Sequence, residues 1–100
     1  MILKIEVELS PVFQTAIQSS HVFLELEEDE GTVKGLLRHL STESGGKINS
    51  LLFEEGGDSI LSGLMVMVNN RVFTGTALNE QVIHLRDKDK VSLLYFVSGG

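Results

Sequence analysis

The spacing of the apolar residues shifts along the chain, from every second position to every third or fourth and back again. No other feature restricts the available folds as much. Leu3, Ile5, Val7 and Leu9 alternate with Lys4, Glu6 and Glu8, the pattern of a strand with one buried and one wet face. Ser10-Pro11 ends that strand, because proline has no N–H to give to a ladder. The next stretch reads as a loop, with Phe13, Ala16 and Ile17 as anchors. A second strand is expected over residues 21–27, with Val22, Leu24 and Leu26 on one face, and the acidic turn 28–31 closes it. Thr32 then stands at a helix N-cap. Val33, Leu36, Leu37 and Leu40 follow at i, i+3, i+4 and i+7, an apolar stripe of helical period. Gly45-Gly46 supplies the stop. Gly35 inside the helix costs about 1 kcal/mol relative to alanine, which points to close packing there.

A weaker helical turn is expected over 48–53, and 56–58 is a loop. Leu64 to Val68 is a β-rich run, Asn69-Asn70 a hairpin turn tolerant of positive φ, and Arg71-Val72-Phe73 the start of a return strand. Residues 77–85 form a connection to which the pattern assigns no structure. Asp87-Lys88-Asp89-Lys90 is a polar turn, and 91–97 is the last strand. The order β, β, α, helical turn, β, short β, β is an α+β layout in which a helix covers one sheet face. The strand-helix-strand crossover demands a parallel pairing somewhere in the sheet.

With 100 residues the chain has the size of one domain, residues 1–100. About 65% of its surface is buried on folding, which leaves room for a sheet and a helix or two but little for a deep cleft. A net charge of −6 with 14 acidic against 8 Lys or Arg residues disfavours a nucleic-acid binder, which needs a basic surplus to neutralise phosphates. The central apolar run 64–68 is far below the ~18 residues of a membrane span. The start of the chain lacks a basic region followed by an apolar one, so no membrane partner and a cytoplasmic location are expected.

The catalytic inventory is nearly empty. There is no cysteine, hence no disulfide framework, thiolate metal site or cysteine nucleophile. His21, His39 and His84 fall in no metal-ligand spacing, and solvated histidines are the favoured reading. The carboxylates at 27–30 and 54–55 sit in turns or at helix ends, without an apolar pocket to raise a pKa. Asp87-Lys88-Asp89 matches only part of a calcium loop. Phosphate-binding glycine loops and a nucleophile elbow are missing. The expectation is a protein that is no enzyme by itself, with no metal and no cofactor.

The informative feature is Val97-Ser98-Gly99-Gly100. In one reading it is a frayed terminus. In the other, the Gly100 carboxylate is the functional group and the residues before it form a flexible Gly-Gly tail, 97–100. Two residues without side chains can thread a narrow channel and approach other backbones closely. Four extended residues reach about 13 Å, and a terminal carboxylate can be activated as an acyl-adenylate.

At this point the sequence resembles the MoaD/ThiS family of ubiquitin-like β-grasp sulfur carriers, nearest the MoaD type, the small subunit of molybdopterin synthase. The resemblance spans essentially the whole chain. It is carried by the strand Leu3 to Val7, the helix pattern Thr32-Val33-x-x-Leu36-Leu37-x-x-Leu40, and Val66-x-Val68-Asn69-Asn70-Arg71. More specific are Leu85-x-Asp87-x-Asp89-x-Val91 and the ending Phe96-Val97-Ser98-Gly99-Gly100. Lys88 stands where the family usually has glycine in an Asp-Gly-Asp turn, Asn70 where it has the glycine of an Asn-Gly hairpin, and Tyr95-Phe96 where MoaD tails often carry two prolines.

The resemblance implies a ubiquitin-like β-grasp fold, a mixed sheet with one main helix packed on one face. It also implies a cycle at Gly100. An E1-like ATP-dependent enzyme adenylates the carboxylate, and a sulfurtransferase system converts it to a thiocarboxylate. The tail, Val97, Ser98 and Gly99, inserts into the molybdopterin synthase large subunit, which does the catalysis. A ThiS-like carrier for thiamine or another pathway, a protein-binding β-grasp module and a ubiquitin-like modifier are the alternatives. Strand alternation places Met65, Met67, Leu94 and Phe96 on the sheet face away from the helix. There they form either a partner-docking patch or a satellite core under a loop or the second helical turn.

Overall fold

The structure, a computed structural model, describes residues 1–95. Phe96 and the expected Gly-Gly tail, residues 97–100, lie outside the described residues. Five strands, β1 (Ile2–Leu9), β2 (His21–Glu27), β3 (Leu64–Val68), β4 (Arg71–Thr74) and β5 (Lys90–Tyr95), form one sheet in the order β2-β1-β5-β3-β4. The parallel pairing that the crossover demands is β1 with β5, Val7 opposite Val91 and Leu9 opposite Leu93. The other neighbours are antiparallel. Among the described residues four α-helices, α1 (Pro11–Ile17), α2 (Val33–Glu43), α3 (Asn49–Leu52) and α4 (Gly75–Glu80), and a 3-10 turn at Glu28–Glu30 complete the fold. The mixed sheet with one main helix matches the expected α+β architecture.

The core lies between the helices and one sheet face. Leu3, Ile5, Val7, Leu9, Val66, Val91 and Leu93 from the strands meet Val33, Leu36, Leu37 and Leu40 of α2. These are the residues that the period-two and helical stripes select. The Thr32 hydroxyl caps α2 by accepting from the Gly35 N–H at 3.0 Å. Gly35 itself is required by close approach, since a Cβ there would run into the Glu30 carbonyl. At the other end of the same face, Arg38 donates to the Asp58 carboxylate at 2.8 Å. That bond and the Lys34 charge hold the Asp58 carboxyl below its ordinary range, a tether of α2 to the loop before β3 that is exposed and therefore weak.

Two segments depart from the sequence reading. Residues 11–17, expected as a loop, are helix α1. Pro11 occupies its first turn, where a missing N–H costs nothing and φ is already helical. Phe13, Ala16 and Ile17 fall at i, i+3 and i+4, so the anchors share one helical face, and Phe13 is 0% exposed. The unassigned connection begins as α4, with the Thr74 hydroxyl accepting from the Ala77 N–H at 3.2 Å and Leu78 buried.

The polar turn before β5 is a clasp. Asp87 accepts from the Lys4 N–H at 2.8 Å, and the Lys88 N–H donates to the Lys4 carbonyl at 2.7 Å. Asp89 accepts from the Arg86 N–H at 2.8 Å and from the Asn69 amide at 3.1 Å. Asn69 also accepts from the Lys90 N–H at 3.1 Å. The carboxylates of Asp87 and Asp89 thus join β1 to the β3–β4 hairpin. Both Asn69 (φ 56°) and Lys88 (φ 72°) are left-handed. Asn69 uses its side chain to hold that conformation, whereas Lys88 has no such bond among the described contacts. Lys88→Gly is expected to stabilise the fold by about 0.5–1 kcal/mol, the relief of left-handed strain less the unfolded-state entropy of glycine. Chemical denaturation of the two proteins side by side checks this, and a lower midpoint for the glycine variant would refute it.

Candidate functional site

The side chains that alternation turns away from the helices make the outer sheet face. Met65 and Leu94 are direct register partners, and Met67 lies opposite Ser92 on one side and Val72 on the other. Leu94 is 37% exposed, and both methionines are half-buried. Helix α3, the expected second helical turn, buries Leu52 in the core beneath the opposite face. Val72, at 50% exposure, extends the row onto β4. The sequence reading did not single it out, although its alternation with buried Phe73 carried the signal. The same face has a second apolar group, Phe23 and Ile2, on the far side of the sheet. Phe23 falls between half-buried Val22 and buried Leu24, so the period that turned its neighbours inward also turned it outward.

A charged band separates the two groups. His21 Nε2 lies 3.2 Å from a Glu8 carboxylate oxygen and 3.8 Å from one of Glu6, and Lys90 Nζ reaches Glu8 at 3.7 Å. His39 contacts Glu43 one turn along α2 at 3.2 Å, and His84 is an exposed residue bridging to Thr32. The three histidines occupy separate places. Among the described residues no three His, Asp or Glu side chains are grouped to hold a metal ion, and no helix is long and apolar enough to cross a membrane.

Among the described residues β5 ends on Tyr95, two positions before the expected tail. Its ring stacks on Phe13 of α1, centroids 5.3 Å apart and planes 7° from parallel. Its hydroxyl donates to the Leu51 carbonyl of α3, and its backbone is the register partner of Leu64 on β3. Burial raises the phenol pKa above its ordinary 10.0. The folded protein therefore keeps this proton where the unfolded chain has lost it. The corresponding stability is complete below about pH 10 and declines as pH rises through the folded pKa. Tyr95 is the only tyrosine, so phenolate absorbance titrates it alone. A midpoint above that of the denatured chain is expected, and coincident midpoints would refute the burial. Tyr95→Phe should remove this part of the alkaline loss of stability.

A five-stranded mixed sheet with a principal helix on one face and the C-terminal strand in its centre is a ubiquitin-like β-grasp. The sequence pattern of the ThiS family matches residues 12–100, and the chain belongs to that family, the ThiS/MoaD-like ubiquitin-like sulfur carriers. No curated protein matches it. Among solved structures it is similar to SAMP1 from Haloferax volcanii, with 20% identity, TM-score 0.78, and coverage of 97% of this chain and 99% of that one. It is also similar to a Pyrococcus furiosus protein assigned as molybdopterin converting factor, subunit 1, with 21% identity, TM-score 0.69, and coverage of 95% and 99%. A third is from the Amycolatopsis orientalis BexX/CysO complex, with 19% identity, TM-score 0.69, and coverage of 96% and 99%. At these identities the likeness is one of fold.

Proposed function

We propose that this protein carries sulfur on Gly100 for molybdopterin biosynthesis, as the small, non-catalytic subunit of molybdopterin synthase. The observation that carries the reading is the family match through Gly99-Gly100, in a chain whose last described strand, β5, is held at the centre of the sheet. The Gly100 carboxylate attacks the α-phosphate of ATP in an E1-like enzyme and pyrophosphate leaves. A sulfurtransferase persulfide then attacks the acyl carbon and displaces AMP to give an acyl disulfide. A thiol attacks the outer sulfur of that disulfide, leaving as a new disulfide and releasing the Gly100 thiocarboxylate. Val97, Ser98 and Gly99 line the partner's channel without bulk at its narrow end. The synthase large subunit takes the sulfur, and this chain supplies the acyl end and a docking surface. The sulfur-carrier reading is supported by Leu85-x-Asp87-x-Asp89-x-Val91, whose aspartates hold the clasp before β5.

Intact mass of the protein purified from its native host tests the carrier chemistry. A fraction heavier by one oxygen-to-sulfur exchange, localised to the last residue, is expected. Free carboxylate alone, even with the activating enzyme and a sulfur donor present, would overturn it. The likeness to SAMP1, a small archaeal modifier protein, favours a second reading, a modifier joined through Gly100 to lysine amines. In that case the same host yields branched Gly-Gly lysine peptides in other proteins.

Met65, Met67, Leu94 and Phe96 form the docking surface in this proposal. An apolar row with two methionines suits a partner that must bind and release. Leu94→Glu is expected to weaken binding to the synthase large subunit by about tenfold or more, as a central apolar contact does, while the domain keeps its fold. Calorimetric titration measures this, and unchanged affinity would remove Leu94 from the interface.

A further inference from the structure

We infer that Tyr95 is a positioning residue for the acyl tail of the proposed function, acting as a clamp on the end of β5 from which that tail departs; the inference rests on that reading. Terminal ladder pairs ordinarily fray. The last described pair, Leu64 with Tyr95, is instead gripped from three elements. Phe13 of α1 stacks on the ring face at 5.3 Å, Leu51 of α3 accepts the hydroxyl hydrogen bond, and β3 supplies the backbone partner. Phe13 is wholly buried, so the ring against which Tyr95 rests is itself fixed.

No proline, whose ring would fix φ, follows Tyr95 in the sequence, and Gly99 and Gly100 carry no side chain. The chain direction must then be set by a side chain before the tail. Gly100 is the fifth residue after Tyr95, a reach of at most about 18 Å. If the strand end loosens, the arm lengthens backward and Gly100 explores a larger volume around the mouth of any active site it must enter. The cost falls on binding, because each freed residue has to be ordered again in the complex.

The test uses the full chain as wild type, Tyr95→Phe and Tyr95→Ala, with Tyr95→Leu as a space-filling substitute if the alanine variant fails to fold. Two quantities are read: the heteronuclear NOE of the Val97 and Ser98 amides, and KM and kcat in ATP–pyrophosphate exchange with the host's E1-like adenylating enzyme. Tyr95→Ala is expected to lower the NOE at both amides and raise KM about tenfold, the equivalent of one backbone residue to be reordered, with kcat nearly unchanged. Tyr95→Phe, which keeps the stack, should recover most of both. A KM equal to wild type overturns the inference, as does a raised KM without a fall in the NOE. Absence of exchange with the wild-type chain would count against the carrier reading itself, and the NOE alone then decides the role of Tyr95.

Discussion

Deleting Gly100 is expected to abolish adenylation and thiocarboxylation while leaving the domain folded. The described core draws on residues from Leu3 to Leu93, so removing the last residue takes no apolar contact from it. The deletion still leaves a terminal carboxylate, now on Gly99, with the same chemistry but set back by one residue. One extended residue is about 3.3–3.6 Å. Misplacing a reacting atom by about 1 Å already costs on the order of 100-fold in rate, so a loss of more than two orders of magnitude follows. Pyrophosphate exchange with the activating enzyme and intact mass after a sulfur donor measure it. An amide spectrum matching wild type shows that the fold is intact. A shortened chain that is activated at a comparable rate would show that the enzyme reads only the domain, and that Gly100 has no special place. A protein-binding module without tail chemistry would lose nothing in either assay.

Phe13→Ala is expected to cost about 3–5 kcal/mol of stability, the range for truncating a fully buried phenylalanine. Against a total of about 5–15 kcal/mol for a domain of this kind, that brings the variant close to unfolding. Phe13 is 0% exposed and belongs to the contiguous core, although it stands on a helix of only seven residues. Such a helix has no stability of its own in water and holds its shape because the Phe13 ring is packed. The cavity left by alanine would therefore also loosen α1 and withdraw the surface on which Tyr95 stacks. Urea unfolding with an unchanged slope and a markedly lower midpoint is the expected record. A loss below about 1 kcal/mol would show that α1 is an ornament on the fold and that the Tyr95 clamp rests on α3 and β3 alone.

The two predictions concern different links between sequence and structure. The strands at 2–9, 21–27 and 64–68 and the helix from Val33 were legible because each carries a period long enough to stand out, with Thr32 as a cap and glycines as a stop. Helix α1 shows one apolar turn, Phe13, Ala16 and Ile17, after a proline that also marks a strand end. Over so short a stretch a loop with three anchors and a helix with one buried face have the same pattern. Helix α4 has a single buried leucine, Leu78, and takes its form from the Thr74 cap and the neighbouring strands. Val72 and Phe23 were legible in principle, as alternation partners of buried residues. Their exposure depends on which side the helices cover, and that is a property of the assembled sheet.

The sequence by itself determined the fold class, the main helix and its cap, and the faces of the strands, because local period and turn chemistry are written residue by residue. It also pointed to Gly99-Gly100 as the place of the proposed chemistry, since residues without side chains can thread a narrow channel. Only the tertiary structure decided that β1 and β5 are the parallel pair and that Asp87 and Asp89 clasp β1 to the Asn69 turn. It alone brought Met65 and Leu94 side by side, and Phe13 and Leu51 together on Tyr95. Each of these joins residues far apart in the chain, and their pairing is set by how strands register and helices pack, which no local pattern records.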